Sequence, residues 1–305
     1  MTRPRIGIDF GGTKIETAAI GADGEWLHRV RTPTPRNYEA AVAETVRLIR
    51  ETGAAIGGEA SVGIGIAGSP SPRTGLMRNA NATFLNGRPF GADVEVALGR
   101  PVRIENDANC LALSEAHDGA AAGARTAFAI IIGTGCGGGV VVDGRTVTGA
   151  NGIAGEWGHV PLPWPGFAEV PGPSCWCGQH GCLEMWVSGT GIRRDHLERT
   201  GAVTDAAEIV TAARAGEPGA VETLDLYVDR LGRAMAMAAN LIDPDVFVLG
   251  GGMSNVPELY DRLPAVIERY VFADEWRAVI APAKWGDSSG VRGAARLWPE
   301  DGRGG

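Results

Sequence analysis

The sequence predicts a two-domain α/β protein in which one strand-rich unit occurs twice. Its 305 residues exceed the usual size of a single hydrophobic core, so two domains are expected. An apolar strand, a glycine turn, a second strand, another turn and a third strand follow one another near the N-terminus. The same order returns about 120 residues later, which indicates an internal duplication of a βββ unit.

The first copy of this unit begins at residue 6. Ile6–Asp9, Lys14–Ile20 and Trp26–Thr32 are three predicted strands, and glycine-rich turns separate them. Apolar residues with a helical period run from Tyr38 to Thr52, and Val62–Ala67 follows as a buried strand. This pattern predicts a β-meander, then a helix, then a fourth strand.

The second copy begins at residue 127. Ala127–Ile132 is apolar, a glycine-rich turn follows, and Val140–Val142 is a short strand. Helical patterns occupy 206–242, and Val246–Leu249 is a buried strand that ends in three glycines. Gly290–Trp298 is predicted to form a last helix.

Composition and charge narrow the class of protein. Hydrophobic residues make up 44% of the chain and charged residues 21%, which is typical of a globular protein. The net charge is −8 and no block of Lys and Arg stands out, so neither nucleic acid nor a membrane is expected as a partner. No apolar signal segment precedes the first strand, and no run approaches the roughly 20 apolar residues of a membrane span, so a cytoplasmic protein is expected.

Two glycine hairpins end apolar strands at matching positions of the two copies. Gly11-Gly12-Thr13 follows the first strand, and Gly133-Thr134-Gly135 follows its counterpart. Glycine lets backbone N–H groups approach phosphate oxygens, and the threonine hydroxyls add donors. Asp9, at the end of the first strand, is suited to hold hydrated Mg²⁺. A tight β-turn is the alternative for either hairpin alone, but the matched pair favours a triphosphate site, and the sequence has no P-loop motif.

Gly250-Gly251-Gly252 is a third glycine turn, at the end of the buried strand Val246–Leu249. In that position it is suited to form the floor of an adenosine pocket. A plain connection between a strand and a helix is the alternative, and the turn by itself does not separate the two.

A carboxylate follows another short strand, Pro101–Glu105. Asn106-Asp107 stands directly before a predicted helix at Ala108–Ala116. A carboxylate near a sugar hydroxyl can accept its proton while the oxygen attacks a γ-phosphate. Asp is also a favoured N-cap residue, so Asp107 equally predicts a helix cap. The two roles are compatible, because a helix start holds a residue rigidly.

Three of the five cysteines lie within eight residues, and this spacing indicates a metal site. The order His159-x15-Cys175-x-Cys177-x4-Cys182 supplies one imidazole and three thiolates, which suit tetrahedral structural Zn²⁺. His180 is an alternative fourth ligand, and Cys-x-Cys is tighter than the usual zinc-finger spacing. Unrelated buried cysteines are the other interpretation.

Two glutamates flank the metal cluster. Glu156 and Glu184, together with His159, can exchange hydrogen bonds with adjacent hydroxyls such as those of a sugar ring. A zinc ion bound to one nitrogen of His159 fixes the direction of the other nitrogen. Ordinary surface polarity is the alternative, although the flanking glycines of Glu156 favour a functional role.

Eight segments, in order along nearly the whole chain, resemble those of sugar kinases of the ROK family (repressor, open reading frame, kinase), most closely bacterial fructokinases and manno(fructo)kinases. The segments are Gly7-Ile-Asp9-Phe-Gly11-Gly-Thr13-Lys14, Asn79-Ala-Asn81, Glu105-Asn106-Asp107-Ala-Asn109-Cys110, Ile131-Ile-Gly133-Thr-Gly-Cys136-Gly, Gly155-Glu156-Trp157-Gly158-His159, Cys175-Trp-Cys177-Gly-Gln-His-Gly-Cys182-Leu-Glu184, Leu249-Gly-Gly-Gly-Met-Ser254 and Gly286-Asp-Ser-Ser-Gly-Val-Arg-Gly293.

The resemblance implies an α/β actin-like ATPase (ribonuclease H-like) fold, with two lobes, a duplicated βββαβα unit and a nucleotide in the interlobe cleft. It implies a small lobe of residues 1–117, joined by a C-terminal helix at about 291–305. The large lobe is then 118–290 and carries the zinc-binding loop. Family members of this type are commonly dimers, so a homodimer is expected.

The resemblance also implies roles for individual residues. Asp107 becomes the catalytic base, and the ligands of structural Zn²⁺ become His159, Cys175, Cys177 and Cys182. Implied sugar contacts are Gly68, Asn81, Asn106, Asp107, Glu156, His159 and Glu184. Together with the glycine turns described above, the predicted contacts to ATP and Mg²⁺ are Asp9, Gly11, Gly12, Thr13, Lys14, Gly133, Thr134, Gly135, Cys136, Gly250, Gly251 and Gly252.

The sequence therefore predicts transfer of the γ-phosphoryl group of MgATP to the 6-hydroxyl of a hexose. Fructose is the first candidate and mannose a further one, because the asparagine-rich loop after Asn79 resembles the fructokinase version. Glucose, N-acetylglucosamine and N-acetylmannosamine are the alternatives. A non-catalytic sugar sensor and an actin-like filament former or chaperone ATPase are the rival classes; a sensor needs no base, and neither a filament former nor a chaperone ATPase needs sugar-binding residues.

Overall fold

A computed structural model describes residues 4–298, which form two compact units. Unit 1 consists of the described parts of Met1–Gly119, Arg145–Ala154 and Asp287–Gly305, and unit 2 consists of Ala120–Gly144 and Gly155–Gly286. The sequence-based division assigns residues 145–154 to the second lobe, whereas here they cluster with unit 1. The predicted extension of the last helix into 299–305 lies outside the described residues.

The strands of the described residues follow the predicted order along the chain. They are β1 (Arg5–Phe10), β2 (Lys14–Ile20), β3 (Trp26–Pro33), β4 (Ser61–Ile66), β5 (Ser69–Pro70), β6 (Met77–Arg78), β7 (Arg103–Asn106), β8 (Thr126–Ile132), β9 (Cys136–Val142), β10 (Arg145–Thr146), β11 (Val246–Gly250) and β12 (Val279–Pro282).

The helices alternate with these strands. They are α1 (Tyr38–Ala55), α2 (Phe90–Leu98), α3 (Asp107–Asp118), α4 (Glu184–Val187), α5 (Gly189–Thr200), α6 (Ala206–Arg214), α7 (Pro218–Ile242), α8 (Pro257–Ile267) and α9 (Ser289–Ala295). The helical pattern at 206–242 forms two helices, because Gly216 has a φ of 82° and ends the first. Among the described helices, none combines the length and the apolar character needed to cross a membrane.

The sheet of unit 1 has the strand order β3-β2-β1-β4-β7. β1 pairs antiparallel with β2 and parallel with β4, and β4 pairs parallel with β7. The side chains of Ile6, Ile8 and Ile64 are buried in a core that includes residues of α1. The carboxyl ends of three parallel strands, β1, β4 and β7, therefore meet at one edge of this sheet.

Helix α9 lies very close to the sheet of unit 1. A Cβ atom on Gly7 would be 1.9 Å from the carbonyl oxygen of Val291, and one on Gly63 would be 1.9 Å from that of Ala294. Only glycine lets the helix backbone approach β1 and β4 to this distance. Two strand glycines therefore determine where α9 packs.

Unit 2 repeats the plan with the strand order β9-β8-β11-β12. β8 pairs antiparallel with β9 and parallel with β11, and β11 pairs parallel with β12. The core of this unit forms along α7, where Leu224, Tyr227, Val228 and Leu231 are buried at helical spacing.

One boundary in the second copy differs from the sequence prediction. β9 begins at Cys136 rather than Val140, because the intervening glycines pair with β8. A Cβ atom on Gly138 would lie 2.8 Å from the carbonyl oxygen of Gly155 and 2.9 Å from the Trp157 ring. The glycine run is therefore part of a strand, and its lack of side chains lets the segment that contains Gly155 and Trp157 pack directly against the strand backbone.

Candidate active site

Predicted site residues of unit 1 lie at or just after the carboxyl ends of three neighbouring parallel strands. Asp9 is the second-last residue of β1, Gly68 comes two residues after β4, and Asp107 follows β7 directly. Binding sites of α/β proteins form at the carboxyl edge of such sheets. Because β4 lies between β1 and β7, these residues are brought to one edge of unit 1.

Asn106 caps the helix that begins with Asp107. Its Oδ1 accepts hydrogen bonds from the backbone N of Ala108 at 2.8 Å and of Asn109 at 3.4 Å. Its Nδ2 donates to the carbonyl oxygen of Gly68 at 3.4 Å. Asp107 is thus the first helical residue, and its Oδ1 also accepts from the backbone N of Ala108, at 2.9 Å. The predicted capping role belongs to Asn106, with Asp107 sharing the same donor.

Carboxylates surround Asp9. The pKa of Asp9 is raised from 3.8 to about 7, mainly by burial and then by the negative charges of Asp107 and Glu16, while Lys14 acts to lower it. Glu16 is buried, and its oxygens accept hydrogen bonds from Nε of Arg29 and of Arg31, at 2.5 Å and 2.6 Å. The negative charge of these neighbouring carboxylates favours the protonated form of Asp9, and it would equally favour a hydrated cation. Carboxylate oxygens are ligands that Mg²⁺ accepts, so these residues fit that ion.

The glycine hairpin of unit 1, named hairpin 1, consists of Gly11, Gly12 and Thr13. The backbone N of Gly11 donates to the carbonyl oxygen of Lys14 at 3.0 Å. A Cβ atom on Gly11 would be 2.8 Å from the same oxygen, so glycine is required at this position. One on Gly12 would be 4.0 Å from the Cβ of Asn81, which places that predicted sugar residue next to the hairpin.

Asp287 is a residue near this site to which the sequence analysis gave no role. Its Oδ2 lies 4.0 Å from Lys14 Nζ, and its charge also raises the pKa of Asp9. Asp287 stands within the segment Gly286–Gly293 that carried part of the family resemblance, so its position in that segment was the available signal.

The glycine hairpin of unit 2, named hairpin 2, consists of Gly133, Thr134 and Gly135. The backbone N of Gly133 donates to the carbonyl oxygen of Gly135 at 3.1 Å. The start of α5 lies against it, since the Gly189 backbone N donates to Gly133 O at 2.7 Å and the Thr190 hydroxyl to Thr134 O at 2.8 Å. The hairpin is therefore fixed by the first turn of a helix.

A cavity of about 600 Å³ adjoins hairpin 2. This volume falls within the usual range for small-molecule sites. Its lining comes from four segments of unit 2: Ile132, Gly133, Thr134; Gly189, Thr190, Arg193; Asp205, Ala206, Ala207, Val210, Thr211, Arg214; and Gly252, Met253, Asn255, Val256. Gly252 of the predicted adenosine turn is among them, whereas most of the other lining residues were not identified from sequence.

The remaining glycines of that turn support its shape. Gly250 ends β11, and Gly251 has a φ of 82°, which glycine adopts without strain. A Cβ atom on Gly251 would be 2.6 Å from the carbonyl oxygen of Ile132. The turn therefore packs directly against the end of β8, beside hairpin 2.

The four predicted zinc ligands converge. The ligand atoms of His159, Cys175, Cys177 and Cys182 all lie within 4.8 Å of one another. Cys175 Sγ is 3.7 Å from His159 Nδ1, whereas His180 Nε2 is 3.1 Å from the hydroxyl of Ser174. One imidazole and three thiolates at this spacing fit tetrahedral Zn²⁺, with His159 rather than His180 in the set.

Glu156 and His159 belong to a segment pressed against β9. Cβ atoms on Gly155 and Gly158 would lie 2.3 Å and 2.0 Å from carbonyl oxygens of β9, so both positions require glycine. Between them the ring of Trp157 is buried, and its Nε1 donates to Gly137 O at 3.1 Å. This packing fixes the backbone that carries Glu156 and His159.

Glu184 lies at the start of α4, two residues after the last cysteine ligand. Its Oε2 accepts a hydrogen bond from the backbone N of Cys136, the residue that follows hairpin 2, at 3.0 Å. The thiol of Cys136 is itself buried. Glu184 therefore contacts hairpin 2 and lies two residues after the segment 175–182, named here the metal loop.

The model of the ROK family matches residues 5–301. The chain is 40% identical over 296 residues to the N-acetyl-D-glucosamine kinase of Pectobacterium atrosepticum, covering 95% of this chain and 97% of that protein.

Two solved structures share the fold over nearly the whole chain. The ROK hexokinase of Thermus thermophilus has a TM-score of 0.86 and 32% identity, with 96% of both chains covered. A ROK-family glucokinase of Streptomyces griseus, in complex with glucose and AMPPNP, has a TM-score of 0.78 and 31% identity and covers 96% of this chain and 98% of its own. The α/β fold with the actin-like ATPase architecture is thereby confirmed, and with it an ATP-dependent sugar kinase. The chain belongs to the ROK family.

Proposed function

We propose that this chain is an N-acetyl-D-glucosamine kinase that transfers the γ-phosphoryl group of MgATP to the 6-hydroxyl of the sugar. The observation that carries the proposal is Asp107, whose charge acts on Asp9 at the carboxyl edge of three parallel strands, in a chain 40% identical to such a kinase. The prediction of fructose as the substrate depends only on the resemblance of the asparagine-rich loop to that of fructokinases. The relatives therefore favour the N-acetyl alternative over the first candidate.

Asp107 is the proposed base. Its carboxylate stands on the first residue of α3, where the backbone N of Ala108 fixes one of its oxygens at 2.9 Å. The attacking hydroxyl loses its proton to this carboxylate as the oxygen bonds to the γ-phosphorus and the bond to ADP breaks. A rigid helix start holds the base in one place, which contributes by orientation.

The two hairpins are proposed to contact the nucleotide. In unit 2 we assign the adenosine to the 600 Å³ cavity, which Gly252 lines. Gly250 and Gly251 would complete the turn that forms its floor. Hairpin 2 with Cys136, and hairpin 1 with Lys14, are assigned to the phosphates. Thr134 and Gly135 in unit 2, and Gly12 and Thr13 in unit 1, would supply the backbone donors, because the N–H groups of Gly133, Cys136 and Gly11 already bond within their own units. Mg²⁺, when bound with ATP, neutralises phosphate charge, and Asp9 would hold it through water.

The sugar is proposed to contact Gly68, Asn81, Asn106 and Asp107 of unit 1, and Glu156, His159 and Glu184 of unit 2. Zn²⁺ in this proposal is structural: it orders the loop that carries three of these side chains. His159, Cys175, Cys177 and Cys182 would hold it. The predicted homodimer stays a prediction, which light scattering of the purified protein would test.

A coupled assay of ADP release tests the proposal. Wild-type protein is given MgATP with N-acetylglucosamine, N-acetylmannosamine, glucose, mannose or fructose, and a reaction without sugar is the control. We expect kcat/KM for N-acetylglucosamine to exceed the others by at least about tenfold, the effect of one well-placed polar contact. A preference for fructose would restore the first candidate, and equal ADP release without sugar would favour an ATPase.

A further inference from the structure

The carboxylate of Glu184 joins two separate parts of unit 2. Its Oε1 accepts a hydrogen bond from Trp176 Nε1 at 2.7 Å, and its Oε2 accepts one from the backbone N of Cys136 at 3.0 Å. Trp176 stands between two of the cysteines of the metal loop. Cys136 directly follows hairpin 2. One side chain therefore connects the metal loop to the glycine hairpin.

The hairpin leaves space for this carboxylate. A Cβ atom on Gly135 would lie 2.6 Å from Glu184 Oε2 and 3.4 Å from its Cδ. Any larger residue at position 135 would push the carboxylate away from the Cys136 N–H. Glycine at this position thus serves the contact with Glu184 in addition to any contact with phosphate.

Burial does not account for the position of Trp176. Its side chain is 64% exposed, although a large apolar ring usually lies in a core. The Trp176 side chain makes two directed contacts. It donates the hydrogen bond to Glu184, and its ring makes an edge-to-face contact with the ring of His159 at a centroid distance of 4.8 Å. The indole is therefore held by its polar edge and by a metal-ligand ring.

We infer that Trp176 and Glu184 act as a positioning pair through which the metal loop sets the geometry of hairpin 2. The inference rests on the proposed role of that hairpin in nucleotide binding. Without the indole N–H, the Glu184 carboxylate turns about its last torsion, and the Cys136 N–H loses a fixed acceptor. The hairpin then has to be ordered when the nucleotide binds, which weakens affinity. Trp176 contacts neither substrate; it acts through Glu184.

Trp176→Phe tests the inference, because it removes the N–H and keeps an aromatic ring beside His159. The readout is the Kd of MgAMPPNP by titration calorimetry without sugar, so turnover does not enter. We expect binding to weaken by about threefold to tenfold, the effect of one ordinary hydrogen bond, because the lost bond acts on the nucleotide only through Glu184. Zinc content, measured on the same preparation, should stay at the wild-type value.

Two further variants sharpen the test. Trp164→Phe is the matched control: Trp164 is 46% exposed in the same unit and packs on Tyr270, and its replacement should leave the Kd within twofold of wild type. Glu184→Gln keeps the size of the side chain but presents only one acceptor oxygen to two donors. It should weaken nucleotide binding at least as much, and adding Trp176→Phe to it should change little, since the pair acts as one unit.

The outcomes separate the inference from the proposed function. Wild-type affinity in zinc-loaded Trp176→Phe would overturn the inference while leaving the nucleotide role intact. A full additional loss from Trp176→Phe in the Glu184→Gln background would also overturn it, because the indole would then act by another route. If the wild-type protein does not bind MgAMPPNP, the nucleotide role of hairpin 2 fails first, and the inference fails with it.

Discussion

Hairpin 1 and hairpin 2 share a backbone plan but have different surroundings. Each connects the first antiparallel strand pair of its unit, and each is closed by a backbone hydrogen bond, of 3.0 Å from Gly11 N and 3.1 Å from Gly133 N. Hairpin 1 adjoins the acidic side chains of Asp9 and Asp287. Hairpin 2 adjoins a cavity of about 600 Å³. The two copies thus share a similar hairpin backbone, with acidic side chains beside it in one copy and a cavity beside it in the other.

The ends of corresponding strands show where this division arises. β7 of unit 1 runs into Asn106-Asp107, whereas its counterpart β12 of unit 2 ends at Pro282 and continues into Ala283. The strand beside each retains a common feature, since Gly68 after β4 and Gly251 after β11 both have positive φ, of 107° and 82°. Both units therefore have a glycine with positive φ after this strand, whereas only unit 1 has the proposed base, Asp107.

The largest expected effect comes from Asp107→Asn. This change keeps the size of the side chain and removes its ability to accept a proton, so kcat should fall by about 10²–10⁴-fold. The measurement is ADP release at saturating MgATP and N-acetylglucosamine. Asp23→Asn, an exposed acid in a turn of the same unit, is the control and should keep wild-type turnover. Near-normal kcat in Asp107→Asn would show that another group takes the proton.

The zinc ligands offer a matched pair of histidines. His159→Gln should lower zinc affinity by at least the 10–100-fold that loss of an outer partner typically costs, because it removes one of four converging ligands. Sugar affinity and thermal stability should fall with it, since the loop that carries Glu156 and Glu184 loses its anchor.

His180→Gln is the control for this pair. His180 is exposed and bonds Ser174 rather than joining the cluster, so its replacement should leave one zinc per chain. Metal analysis of the purified variants measures both. The ligand assignment would be reversed if His180→Gln lost zinc and His159→Gln kept it.

Filling the cavity of unit 2 should affect nucleotide binding and little else. Ala207 is exposed and lines the cavity, so Ala207→Trp places a large ring where we assign the adenosine. Overpacking typically costs 1–3 kcal/mol, which corresponds to an increase of about fivefold to hundredfold in KM for ATP. At saturating ATP, kcat should change little.

Ala215→Trp supplies the control for the cavity. Ala215 is exposed at the end of the same helix, outside the lining, and should give wild-type KM values. Steady-state kinetics with varied ATP measure both variants. Equal KM for ATP in Ala207→Trp and wild type would remove the nucleoside from this cavity.

A last expected effect concerns stability rather than activity or affinity: Asp9 should make the free energy of unfolding depend on pH. Its pKa rises from 3.8 to about 7 on folding, so between these pH values the folded protein keeps a proton that the unfolded chain releases. The free energy of unfolding should therefore fall as pH rises through this window in protein without MgATP. Asp9→Asn removes the titration, so the variant should be the more stable protein at pH 8.

Thermal unfolding of wild type, Asp9→Asn and the control Asp23→Asn at pH 4, 6 and 8 measures this effect. Asp23→Asn should keep the wild-type slope of stability against pH. An unchanged slope in Asp9→Asn would mean that the raised pKa belongs to another group of the acidic cluster.

Local patterns predicted most of the strands and the convergence of the metal ligands. The alternation and length of β1, β2 and β8 are set by neighbouring residues, and the cysteine spacing brings three thiols together within one loop. The start of β9 was predicted too late, because Gly137–Gly139 carry no side-chain signal and join the sheet through β8. Glycine in a strand is explained by what packs on it, which sequence does not display.

The rest of the site depends on contacts between distant segments. The cavity of unit 2 is lined by residues from four separate stretches of the chain, and Arg193 or Asp205 has no local feature that marks it. The link from Trp176 to Cys136 spans 40 positions and passes through one carboxylate of Glu184. Asn106 rather than Asp107 provides the main cap because its Oδ1 reaches two backbone donors. Such choices are made by three-dimensional packing.

Nucleotide affinity of two variants, compared side by side, tests the division of roles most directly. The measurement is the Kd of MgAMPPNP by calorimetry for wild type, Asp107→Asn and Ala207→Trp. If the cavity of unit 2 binds the nucleoside and Asp107 of unit 1 only accepts the proton, the Kd of Asp107→Asn should stay within about threefold of the wild-type Kd. The Kd of Ala207→Trp should be higher by at least about fivefold. Lost nucleotide binding in Asp107→Asn, together with wild-type binding in Ala207→Trp, would contradict the account.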